Sequence, residues 1–141
     1  MRELFDDCYN LKVRILELDE RIEEIQTVLY YPKNQMLSDL PKGGGTDSTL
    51  DNLLTKLDEL KEEKSIQEAA HADKWAQIVE RLDKCNVPQS EKDLLELRFY
   101  FGFTWKYCIP IMTERTGEEW NENKVYRIYR DVCEKCTNVY I

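Results

Sequence analysis

Four sets of residues in this chain have types and spacings that carry chemistry. Cys133 and Cys136 have the two-residue gap of half a zinc site. Zinc needs four ligands, and the single histidine, His71, has no partner at metal spacing, so no metal is expected. A redox CxxC belongs in a βαβ context, which the sequence lacks. Thiols lying on a helix are the simpler expectation for both cysteines. His71 as a general base would need a nucleophile or carboxylate in a recognisable motif, so an interfacial or solvent-facing side chain is expected instead. Gly43, Gly44 and Gly45 would cradle phosphate only after a strand and before Gly-Lys-Ser/Thr, and neither flanks them. No catalytic residue and no cofactor is expected, and the chain reads as a non-enzyme. The fourth set is cationic. Lys124, Arg127 and Arg130, with Asn123 ahead of them, carry donors suited to phosphates and guanine edges.

A helix must position that last set. Val125, Ile128, Tyr129 and Val132 recur at three- and four-residue spacing, which gives one inward apolar face and leaves Lys124, Arg127 and Arg130 on others. Two helices precede it. Ser90 with Asp93 reads as an N-terminal cap, Leu94, Leu95, Leu97 and Phe101 as the apolar side, and Gly102 as the stop. Thr104 can cap the next helix from Trp105, with Ile109 and Met112 facing the core. Pro110 removes a hydrogen bond within that helix and favours a kink. The aromatics Phe99, Tyr100, Phe101, Phe103, Trp105 and Tyr107, interleaved with Arg98 and Lys106, suit core packing more than stacking on single-stranded bases.

In this order the parts resemble a known family. LRFYFGFTWKYCI resembles the Leu-Arg-aromatic-x-x-Gly-x-(Ser/Thr)-(Trp/Tyr) run that opens the helix-turn-helix of sigma-70 region 4 domains, and VYRIYRDVCEK resembles the recognition helix of their phage relatives. LPKGGG, between two acidic helices, is similar to small phage regulators of the sigma-like and late-gene activator kind. The resemblance implies a framework of Leu97, Gly102, Val125 and Ile128. It implies promoter contacts from Asn123, Lys124, Arg127 and Arg130.

The rest of the chain supplies a scaffold. Leu4, Cys8, Leu11, Ile15, Leu18, Ile22, Ile25 and Leu29 step by four and three alternately, a heptad seam that ends before Pro32. As a helix this stretch would be about 40 Å long, and its bare seam needs a partner. YPKNQMLSDLPKGGGTDST, residues 31–49, reads as a connector. Asp47 or Ser48 then caps a second long helix through Leu50, Leu53, Leu57, Leu60, Trp75, Ile78, Leu82 and Cys85. Its middle, at Lys64, Gln67 and His71, breaks the apolar seam and is expected to be exposed or slipped by a stutter. Asn86-Val87-Pro88-Gln89 ends it.

The expected fold is therefore all-α: an N-terminal antiparallel coiled-coil hairpin over 1–85, then a small three-helix helix-turn-helix domain over 90–141. The 141 residues, 42% hydrophobic and 34% charged, suffice for such cores. The net charge of −8 is concentrated early: residues 1–85 carry 12 basic and 19 acidic side chains, residues 86–141 carry 8 and 9. With no apolar run of membrane length and no leader-like segment, a cytoplasmic location with reduced thiols and no membrane contact is expected. The expected function is a phage-type transcriptional regulator that binds promoter double-stranded DNA, with RNA polymerase as a further partner and the N-terminal helices forming a homodimer or higher oligomer. Two other classes fit the same parts, namely a small terminase subunit-like packaging protein and a protein-interaction module that antagonises polymerase or sigma without touching DNA.

Overall fold

The computed structural model describes residues 1–30 and 46–139, and these are helical with no strand among them. The elements are α1 (Arg2–Tyr30), α2 (Thr46–Lys84), α3 (Gln89–Leu95) continuing as a π-helical turn (Glu96–Tyr100), α4 (Trp105–Thr116) and α5 (Glu122–Val139). The tri-glycine stretch of the expected connector lies outside the described residues. Its last residues belong to α2, which starts at Thr46, so Asp47 and Ser48 lie within the helix and not ahead of it. No helix among the described residues is long and apolar enough to cross a membrane.

The described residues form two compact units, residues 14–68 and residues 1–13 with 69–141, so the division runs through α1 and α2. In the first unit, Leu18, Ile22, Leu57 and Leu60 are buried together, with Ile25 and Leu29 packed against them. Every position of the α1 heptad is buried or half-buried, while Glu17, Glu20, Arg21, Glu23 and Glu24 are exposed. The α2 seam does not slip where the sequence suggested. Lys64 and Gln67 are half-buried and His71 is buried, so the three-four step runs on from Leu57 to His71. Lys64 keeps its place by snorkelling: its stem lies along the seam and its amine reaches Asp19 at 2.5 Å and Glu68 at 3.5 Å. Arg14 bonds Glu63 at 2.7 Å. Such exposed pairs fix register more than they stabilise.

The second unit is built on one cluster that includes Leu4, Phe5 and Cys8 of α1, Ile78 and Leu82 of α2, and residues from α3, α4 and α5. The expected break at 86–89 is a chain reversal within this unit: Asn86 takes a left-handed φ of 55°, and Val87 N–H bonds the Leu82 carbonyl at 3.3 Å. Pro88, not Ser90, stands at the N-cap of α3, and no side chain caps it. The expected Phe101 contact is also corrected. The π-helical turn bonds Phe101 N–H to the Glu96 carbonyl, five residues back, which inserts one residue and rotates the apolar face. Phe99 therefore turns inward at 3% exposure, and Phe101 turns out at 43%. Gly102, at φ 79°, closes the helix, and Phe103 N–H reaches back to the Leu97 carbonyl at 3.0 Å.

The Phe99 carbonyl at this turn is taken by side chains. His71 Nε2 lies 3.1 Å from it and Cys8 Sγ donates at 3.6 Å. A carbonyl only accepts, so Nε2 carries the imidazole proton. His71 is thus a buried structural donor and not the solvent-facing side chain that the sequence left open.

Two expectations follow. Leu18→Ala should cost about 2–5 kcal/mol by removing a fully buried seam side chain, whereas Leu16→Ala, two residues earlier but 44% exposed, should stay within about 0.5 kcal/mol; urea titration of both checks this. His71 is held below its ordinary pKa of 6.5, chiefly by burial and further by Lys12, against the Phe99 bond that raises it. The unfolded chain then binds the extra proton first as pH falls, so this contribution is whole above 6.5 and is lost progressively below it. His71→Gln keeps an N–H donor for the Phe99 carbonyl but cannot titrate. Wild type should therefore lose stability relative to His71→Gln as the pH is lowered from 7 toward about 5 in parallel denaturation series.

Candidate nucleic-acid interface

The arrangement of α4 and α5 begins with their caps. Thr104 Oγ1 accepts the Tyr107 N–H at 3.2 Å and starts α4 where the sequence placed it. α4 continues through Pro110, which lies on its exposed side, to Thr116. The connector between α4 and α5 is therefore residues 117–121. Gly117 takes φ 72°, its N–H bonds the Thr113 carbonyl at 3.0 Å, and no atom stands within 4 Å of where a Cβ would be. Backbone conformation, and not crowding, is what favours glycine there. Thr116 Oγ1 accepts from Trp120 Nε1 at 2.8 Å, pinning the buried indole under the connector. Asn121 Oδ1 then accepts the Lys124 N–H at 2.9 Å and caps α5.

α5 buries Val125, Ile128 and Val132, with Tyr129 half-buried beside them, as the spacing required. The stripe continues through Cys133 and Cys136. Burial pushes the Cys136 thiol up to about 12, helped by its neighbour Cys85, and raises Cys133 as well. Cys8 and Cys108 are raised to about 11 by the same cause. These thiols are packing groups at neutral pH, since nucleophilic and metal-binding chemistry runs through the thiolate. No group of three or more His, Cys, Asp or Glu suited to a metal occurs among the described residues.

The opposite face of α5 carries the sequence-chosen contacts. Asn123, Arg127 and Arg130 are exposed and follow one another by four and three, so they share one stripe. Tyr126, 50% exposed, lies on that stripe too. It was missed among the candidate contacts, although the same three-four spacing from Asn123 and to Arg130 selects it. Lys124 is placed differently. Its amine sits 3.9 Å from the centre of the Trp120 ring and 3.4 Å from Glu118, so it is held back over the connector. Arg130 Nε lies 3.6 Å from Asp131, an exposed pair of little strength.

Arg98 is not available for stacking on bases. Its guanidinium is 4.1 Å from the Tyr9 ring centre and 5.2 Å from that of Trp105, and Nη1 donates to the Phe103 carbonyl at 3.1 Å. Phe99 is the hub of the aromatics, with Phe5 at 4.5 Å, Tyr129 at 5.6 Å and Trp105 at 5.8 Å. No family model, curated protein or solved structure matches the chain.

Because the Asn121 side chain caps the start of α5, Asn121→Ala should lower stability by about 1 kcal/mol, and Asn121→Ser should restore most of it. Thermal denaturation of the pair checks the cap, and the amide shifts of Lys124 and Val125 report whether the first turn frays.

Proposed function

We propose that the chain is a sequence-specific regulator of the phage type that binds double-stranded promoter DNA. In this reading α3, α4 and α5 act as a helix-turn-helix of the sigma region 4 kind, and α5 is the recognition helix. The long helices α1 and α2 act as an antiparallel coiled-coil hairpin that engages RNA polymerase or a second copy.

One observation carries the proposal. The N-terminal half of α5 exposes Asn123, Tyr126, Arg127 and Arg130 on a single stripe, while Val125, Ile128 and Val132 hold the helix from behind. Guanidinium groups suit bidentate contact with guanine, the amide of Asn123 suits adenine, and the capped helix start suits phosphate. The resemblance at LRFYFGFTWKYCI gains support from the Gly102 stop and the Thr104 cap, which supply a short connection between α3 and α4. The seams of α1 and α2 interlock in each unit, in keeping with the hairpin.

The net charge of −8 favours a second reading, in which the chain binds only protein and antagonises polymerase or sigma. Salt separates the two. With Lys124 held over Trp120, a groove contact by Arg127 and Arg130 neutralises about two phosphates, so the logarithmic slope of affinity against salt should be roughly −2.

The test uses duplex DNA selected from random sequence with the full chain, read by fluorescence anisotropy. Arg127→Ala should cost on the order of 1–3 kcal/mol if it reads a base, or weaken all duplexes equally if it holds phosphate. Combined replacement of Lys124, Arg127 and Arg130 by Ala, with helicity unchanged, should flatten the salt slope and abolish selection. Retention of parental affinity at the same salt assigns the contact elsewhere. Failure of the parent to bind any duplex leaves the protein-interaction reading.

A further inference from the structure

A groove beside α3 has a chemistry that the DNA reading leaves unused. Trp75, Val79 and Leu82 of α2 form its apolar wall, and Asp93 and Glu96 stand across from them. Its volume is about 180 Å³, below the several hundred Å³ of a small-molecule or cofactor site but enough for one long side chain. Leu82 is buried, Trp75 and Glu96 are half-buried, and Val79 is 37% exposed, so the apolar wall faces the opening.

The charges of the groove are unbalanced. Lys92, its only cation, is bound to Asp83 at 2.5 Å. Asp93 receives only the neutral amide of Gln89, at 2.9 Å, and Glu96 has no ion-pair partner among the described residues. Two carboxylates without a cation, opposite an indole, call for a flat cation with an aliphatic stem. Phosphate would be repelled. We propose that this groove receives an arginine side chain from a basic segment of a protein partner, with the guanidinium against Trp75 and its N–H groups donating to Asp93 and Glu96. The preference for arginine over lysine follows from the planar fork, which matches a carboxylate pair and stacks on a ring.

The proposal stands apart from the DNA reading and has its own test. The full chain, labelled with nitrogen-15, is titrated with the peptide acetyl-Ala-Leu-Arg-Leu-Ala-amide, and the Trp75 indole N–H, assigned through Trp75→Phe, is followed by NMR. The indole signal should shift saturably at millimolar peptide. Replacing arginine with citrulline, its neutral isostere, should weaken binding at least about tenfold. Glu96→Gln and Asp93→Asn should each weaken the arginine peptide by a similar factor, leave the citrulline peptide unchanged, and melt like the parent. Equal binding of the two peptides, or full binding by Glu96→Gln, overturns the proposal. It is also overturned if Glu96→Gln alters duplex DNA affinity or sedimentation, because the groove would then belong to nucleic acid or to a second copy. The triple α5 variant should bind the arginine peptide as the parent does, which keeps the outcome separate from that of the DNA reading.

Discussion

The unit that carries α5 depends on one extra backbone residue. The π-helical turn at Glu96–Tyr100 rotates α3 so that Phe99, and not Phe101, enters the core. From there Phe99 meets Phe5 and Tyr9 of α1, Trp105 of α4 and Tyr129 of α5. Near the end of the turn the Phe99 carbonyl is taken by side chains, and burying a peptide oxygen without a donor would cost about 1–3 kcal/mol. His71 and Cys8 answer that cost from α2 and α1. A turn that looks like a defect in α3 therefore ties it to both long helices, and the orientation of α4 and α5 follows from where Phe99 sits.

The same constraint explains why α2 carries polar residues in its seam. An apolar side chain at position 71 would pack, yet it would leave the Phe99 oxygen with only the weak Cys8 thiol as a donor. Lys64 serves a different end in the other unit. The core there is thin, built on Leu18, Ile22, Leu57 and Leu60, so apolar contact alone specifies the alignment of α1 and α2 weakly. A seam lysine that reaches Asp19, together with Arg14 on Glu63, penalises shifted alignments that would separate these charges. The polar residues cost stability and give register.

What was legible in the sequence is what local chemistry decides. The α1 heptad, the inward stripe of α5, the Thr104 cap, the Gly102 stop and the reversal after Cys85 all follow from spacing or from single residues with one conformational role. The missed features depend on partners distant in sequence. Nothing in ELRFY marks a π-helical turn, because its cause is the space between other helices. Ser90 has the right side chain for a cap, but Pro88 enters the helix first with a preset φ of −58°. Pro110 does not end α4, since the one hydrogen bond it removes lies on the exposed side. Lys124 was legible as a cation on the last helix, whereas its capture by Trp120 depends on a connector whose fold rests on Thr116.

That capture bears on what α5 can do. With Lys124 held over Trp120 and beside Glu118, two cations, Arg127 and Arg130, remain on the exposed stripe. Two guanidinium groups supply little of the non-specific phosphate attraction that holds a strongly basic protein to DNA, and the acidic side chains elsewhere oppose it. The stripe is better suited to discriminating between sites than to holding DNA tightly, because each bidentate base contact gives roughly 1–3 kcal/mol of selection. If the chain is the regulator proposed above, it needs its remaining affinity from a bound partner. Partner binding works through effective concentration: a protein already at the promoter that grips another surface of the chain turns weak groove contact into an intramolecular step. Under that proposal, the requirement for a second interaction surface arises from the poverty of charge on α5 itself.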